Sequence, residues 1–170
     1  EIGVFEMDSS GLSEIKNPSS AMLSGRPQGV PGSCIVCTME GTRPVLAEIQ
    51  ALATPTAFGN PRRMTTGVDF NRAMMLLAIL EKRAGLHLSS YDTYINVVGG
   101  LRMVEPAADL GIIIALASGF KNKPVPEEIA AVGEVGLTGE IRSCSFLESR
   151  IIEAEKMGFK KIIVPYMGAK

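Results

Sequence analysis

The spacing of apolar residues changes part-way along the chain. In the first third they come in short β-type runs, and "SCIVCTMEGTRPVLAEIQAL" reads as two β-rich stretches folded about "EGTRP", a hairpin with Gly41 supplying the turn geometry. "TPTAFGNPRRMTTG" has the Pro, Gly, Asn and Thr of an exposed loop. From Val68 the period becomes helical. "VDFNRAMMLLAILEKRAG" predicts a helix capped by Asp69, with Lys82 and Arg83 favourably placed at its C-terminal end and Gly85 as terminator. "TYINVVGG" then predicts a strand, "EPAADLGIIIALASG" a buried helix that is apolar nearly all round, and "IAAVGEVGLTGEI" a strand with glycine turns. "SFLESRIIEAEKMG" predicts an amphipathic helix stopped by Gly158, and "KKIIVP" a closing buried strand. Before all of this, "EIGVFEM" reads as a short strand, followed by a polar connector running to about Gly32. A hairpin followed by alternating strands and helices predicts a mixed α/β or α+β domain with helices packed on a sheet.

The chain has 170 residues, 46% of them hydrophobic and 21% charged, which suits one domain with a proper core. Formal net charge is −1, so nothing global draws it to nucleic acid or membrane, and such binding must come from a local patch. The apolar runs "LGIIIALA" and "AMMLLAIL" are under half the length of a spanning helix. Three cysteines do not make a disulfide framework, and a reducing cytoplasm is the expected location. The chain opens on Glu1 without a signal pattern and is expected to be part of something longer.

Cys34 and Cys37 form a C-x-x-C, but three positions along a strand place them on opposite faces, so they read as core residues rather than metal ligands. Cys144, near Arg142, is the remaining thiol that could act as a nucleophile, with no histidine near it in sequence. His87, the only histidine, follows a helix end and fits a cap or surface role. The glycines of "GEVGLTGEI" lack the lysine and the strand-loop-helix order of a phosphate loop. Arg62, Arg63, Arg72, Lys121 and Lys123 are the candidates for contact with a phosphate backbone, against the plainer reading of a solvated set.

The stretches "RPQGVPGSCIVCTMEGTRPVLAEIQAL", "NPRRMTTGVDFNRAMMLLAILEKRAG", "VGEVGLTGEIRSC" and "GFKKIIVP" resemble the C-terminal Lon-like domain of the RadA (Sms) family of bacterial recombination proteins. The resemblance covers nearly all of the chain. It implies a fold like the Lon proteolytic domain (ribosomal protein S5 domain 2-like) over residues 27–170, with residues 1–26 as the tail and linker of a preceding RecA-like ATPase domain. Lon proteases use a serine in Pro-Ser-Ala-Gly and a lysine ending Gly-Gly-Leu-Lys-Glu-Lys. Laid on this chain, the serine falls on Ala107 after Pro106 and the lysine on Arg150. A methyl group cannot attack and an arginine stays protonated, so no peptidase activity is expected. Arg150 is left free to pair with Glu105 or Asp109, or to hold phosphate.

The resemblance further implies a DNA-dependent ATPase parent that drives branch migration in recombination and repair. ATP, Mg and Zn would be bound upstream, with no cofactor in this part. The partners it implies are single-stranded or branched DNA, the parent's own ATPase domain, five further copies in a hexameric ring and the RecA recombinase, with no membrane. Two other readings stay open: a docking and oligomerisation module without DNA contact, and a residual peptidase through Cys144.

Overall fold

Strand formers whose side chains alternate between two apolar layers set the centre of the molecule. The computed structural model describes residues 4–57 and 59–166; the first three residues of the expected opening strand and Phe58 of the expected loop lie outside them. β1 (Phe5–Asp8) and β2 (Gly11–Glu14) form a separate antiparallel hairpin, and α1 (Pro18–Leu23) follows. The connector expected here thus holds a strand and a helix. Asn17 caps α1 by accepting from the Ser20 amide at 3.1 Å. Ser19 is wholly buried, its hydroxyl donating to Glu153 Oε1 at 2.6 Å and accepting from the Leu46 amide at 3.1 Å. This helix, on the N-terminal side of residues 26 and 27, packs on the sheet.

β3 (Ser33–Glu40) and β4 (Arg43–Pro55) pair antiparallel about the Gly41 turn. β5 (Arg63–Thr66), α2 (Phe70–Ala84) and β6 (Tyr91–Val97) follow, then a 3-10 turn at Pro106–Ala108 leading into α3 (Asp109–Lys121). β7 (Ile129–Ala131), the small hairpin of β8 (Glu134–Val135) and β9 (Ile141–Arg142), α4 (Leu147–Lys156) and β10 (Lys161–Ile163) complete the chain. The main sheet has six strands in the order β10-β7-β3-β4-β6-β5, antiparallel between β3 and β4 and between β4 and β6, and parallel elsewhere. The fold is the expected mixed α/β type, with helices on both faces of the sheet.

Two expectations need correction. The loop read in "TPTAFGNPRRMTTG" contains β5, a short parallel strand held by β6 rather than by any apolar pattern of its own. β10 lies at the sheet edge with Lys161 and Ile163 exposed, because an apolar run does not by itself reveal whether a second neighbour covers it.

Cys34, Val36, Ala47 and Ile49 face the larger core with Leu76, Leu80, Ile112 and Leu116 from α2 and α3. Ile35, Cys37 and Leu46 face the smaller core with Leu147 and Ala154 from α4. Each buried leucine or isoleucine here contributes about 1.5–3 kcal/mol. α2 is capped by Asp69, which accepts from the Arg72 amide at 2.8 Å, and ended by Gly85 at φ 66°, as its sequence predicts. Gly111 lets α3 lie directly on β3, since a Cβ there would collide with Val36 Cγ1.

Candidate functional site

A parallel bridge between Val68 and Met103 brings two chain segments together just before each turns into a helix. The Met103 amide donates to the Gly67 carbonyl at 2.7 Å. Gly67 sits at φ 79°, and a Cβ there would lie 2.6 Å from the Leu101 carbonyl. Beyond the bridge one segment enters α2 at Asp69 and the other reaches α3 through Pro106. Where they diverge lies a cleft of about 600 Å³, with Asp69, Arg72, Arg102, Val104, Glu105 and Pro106 on its walls. Ala107, the position expected to align with a protease serine, directly follows Pro106 on the cleft wall.

The side chains behind it are committed to one another. Ala107 is 1% exposed and packs in the smaller core. Arg150 is fully buried; Nη1 and Nη2 donate to Glu105 Oε1 and Oε2 at 2.7 and 2.6 Å, Nε donates to the Ser145 carbonyl at 2.9 Å, and Nη1 also donates to the Cys37 carbonyl. Of the partners left open by the sequence, Glu105 is the one that Arg150 takes. Glu105 accepts in addition from the Met39 amide at 2.9 Å and the Thr38 hydroxyl at 3.3 Å. Burial works against its ionisation, but the bonds and charge of Arg150, with those of Met39 and Thr38, outweigh it and hold the carboxyl below its ordinary value. Burial likewise opposes the charge on Arg150, and Glu105 reverses that, raising the arginine's hold on its proton.

Arg72 forms the second ion pair at this helix start. Its Nε donates to Asp109 Oδ1 at 3.0 Å and its Nη2 to Oδ2, while Asp109 also accepts from the Val135 amide at 3.1 Å. The hydrogen bond to Asp109 raises the proton affinity of Arg72. Arg63, expected on a loop, sits at the start of β5 and turns inward, donating to the carbonyls of Leu88 (2.9 Å) and Tyr91. Its guanidinium and that of Arg72 are thus used by the fold, which residue type and loop composition alone did not reveal.

Arg62, Lys121 and Lys123 are exposed. Lys121 ends α3 next to Phe120, whose ring meets Tyr91 edge-on at 4.9 Å, and the Tyr91 carbonyl is the one that Arg63 holds. Arg62, Arg63 and Lys121 therefore gather at one end of the molecule. Arg72 lies at the other end of α3, about 18 Å away by helix rise. Arg102, on the cleft wall, was not singled out from the sequence, where no partner or pattern marks it.

Burial pushes the Cys34 and Cys37 thiols up to about 12, and the two face opposite cores as their spacing predicts. Burial also raises the Cys144 thiol. His87 is exposed after the end of α2. The turn between β8 and β9 joins two strands, so it does not fit a phosphate loop. No group of three or more His, Cys, Asp or Glu among the described residues fits a metal ion. No helix among them is long and apolar enough to cross a membrane.

The family described as subunit ChlI of Mg-chelatase matches residues 65–168. Among curated proteins, the DNA repair protein RadA of Halalkalibacterium halodurans is 54% identical over 97% of this chain and 36% of its own length. RadA of Streptococcus pneumoniae is 57% identical over 97% of this chain and 39% of its own length. RadA of Bacillus subtilis is 53% identical, again over 97% of this chain and 36% of its own length. The chain spans well under half the length of these relatives.

Proposed function

This chain belongs to the family described as subunit ChlI of Mg-chelatase and is 54% identical to part of a DNA repair protein RadA, and on that footing we propose that it is a non-hydrolytic, Lon-like scaffold domain of a DNA-dependent ATPase in recombination and repair. It organises a hexameric ring around DNA, while ATP, Mg and Zn are held elsewhere in the parent. It works in the cytoplasm with single-stranded or branched DNA, the parent's ATPase domain and the RecA recombinase as partners. The observation that carries the absence of hydrolysis is the closed set of bonds on buried Arg150 beside Ala107. No hydroxyl and no neutral amine stand where a serine–lysine pair would need them.

DNA contact falls to Arg62, Lys121 and Lys123, with Arg63 adjacent at the same end. Arg72 is retained as a weaker candidate because its guanidinium already serves Asp109. A second reading, a docking and ring-forming module without DNA contact, is favoured by the inward use of Arg63 and Arg72 and by the net charge of −1. One preparation separates the two through its mass in solution, a DNA mobility shift across salt and hydrolysis of an unfolded protein. Ring formation with salt-sensitive DNA binding, lost on alanine replacement of Arg62, Lys121 and Lys123, supports the scaffold at DNA. Ring formation without DNA binding selects the docking module. Hydrolysis abolished by Cys144→Ala would overturn both.

A further inference from the structure

The main sheet is covered unevenly. On one face α2 and α3 close the larger core; on the other, α1 and α4 close the smaller one and leave the part over β4, β6 and β5 open. Strand alternation sends Ile49, Ala51, Ile95 and Val97 into the larger core, so their neighbours in sequence face the open side. The register sets those neighbours in rows. Leu52, Tyr94 and Met64 lie side by side across three strands, with Leu52 59% and Met64 60% exposed. Gln50, Asn96 and Thr66 form the row on one side, and Thr54 and Asp92 the row on the other. Asp92 accepts from the Arg62 amide at 2.7 Å and the Thr56 hydroxyl at 2.9 Å, which fixes its carboxylate at that end of the face. A polar, an apolar and a charged row thus succeed one another about 7 Å apart.

The far side of the molecule carries the counterpart. Helix α2 turns Leu76, Leu77 and Leu80 to the core and leaves an outer face centred on Ala78, with Phe70 and Met75 exposed beside it. Along that face the order is again polar, apolar and charged: Asn71, then Met75 and Ala78, then Lys82. Asn71 to Lys82 covers about 16 Å of helix rise, against about 13 Å between the outer rows of the sheet face. We propose that the open sheet face of one copy of this chain takes the outer face of α2 from the next copy, with Met75 and Ala78 on the apolar row and Lys82 at Asp92. The proposal rests on the ring reading given above and names the two surfaces that build it. A sheet face is stable under a second layer, and a helix with a small residue at the centre of its outer face can lie flat on one. The two patches differ and sit on opposite sides of the sheet, so the contact is head-to-tail. Each copy offers its helix to one neighbour and its sheet to the other, the arrangement that closes rings.

Sedimentation of the purified chain tests the pairing. Leu52→Glu spoils the sheet face alone and Met75→Glu the helix face alone; both residues are exposed, so each variant keeps its fold, and a thermal melt checks that. The wild type should assemble, while each variant by itself should stay monomeric at concentrations about tenfold higher. Mixed together, the two variants should form pairs with one copy of each, because the intact helix of the Leu52→Glu chain meets the intact sheet of the Met75→Glu chain. Lys82→Glu should weaken assembly about tenfold. Wild-type assembly that survives both Leu52→Glu and Met75→Glu overturns this interface and leaves the ring reading standing. The interface is equally overturned if either variant pairs with itself, since each patch would then bind its own like, or if the mixture forms no pairs. A wild type that is monomeric at millimolar concentration overturns the ring reading and this interface together.

Discussion

Two ion pairs flank the start of α3, and they are built in opposite ways. In the first the cation is the buried member: Arg150 has no exposed side-chain surface and Glu105 keeps 21%. In the second the anion is buried: Asp109 keeps 2% and Arg72 27%. The first joins α4 to β3 and to the residue before the 3-10 turn, so three separate parts of the chain depend on one guanidinium. The second joins α2 to α3 and has water at one side. A charge with no route to solvent must have every donor matched, whereas a partly wetted one can lose a partner and hydrate. The difference makes Arg150 a structural bolt and Arg72 a brace.

The largest effect should come from Arg150→Met, which takes the charged donor from Glu105 and the guanidinium bonds from the Cys37 and Ser145 carbonyls. A loss of about 3–5 kcal/mol is expected in urea unfolding. Arg72→Met should cost less, about 1–2 kcal/mol, because Asp109 keeps the Val135 amide and the arginine was already part-solvated. Equal losses from the two would erase the distinction. Acid titration sharpens it. The Glu105 carboxyl lies below its ordinary value of 4.5, so its contribution is complete above that pH and is lost as pH falls through the lower folded value. Stability measured from pH 6 downward should therefore drop in the wild type more than in the Arg150→Met variant. The smallest change is expected from Ala107→Ser, at about 1 kcal/mol for placing a hydroxyl in the smaller core, with no hydrolysis of a fluorescent casein. Turnover by that variant would mean that Arg150 is not the obstacle it is taken to be.

Much of this was legible in advance where local chemistry decides the outcome. Asp69 and Gly85 bound α2 because caps act within one turn, and Cys34 and Cys37 separate because strand geometry allows nothing else. The resemblance supplied the fold and drew attention to Ala107 and Arg150. What stayed hidden depends on residues far away in the chain. β5 is a strand because β6 lies beside it, and "RMTT" has no apolar alternation to announce that. α1 hides in a polar connector because its anchor, Ser19, is an ordinary polar residue until Glu153 and Leu46 meet it. Arg63 and Arg72 look like solvent-facing cations until the carbonyls of Leu88 and Tyr91 and the carboxylate of Asp109 arrive from 25 to 37 positions on.

The opposed placement of Cys34 and Cys37 makes the sheet a built-in pair of reporters. Each sulfur is sealed under a different blanket of helices, α2 and α3 over one and α1 and α4 over the other, and neither reacts while its cover stays down. The order in which a thiol reagent captures them would tell which side of the sheet peels back first.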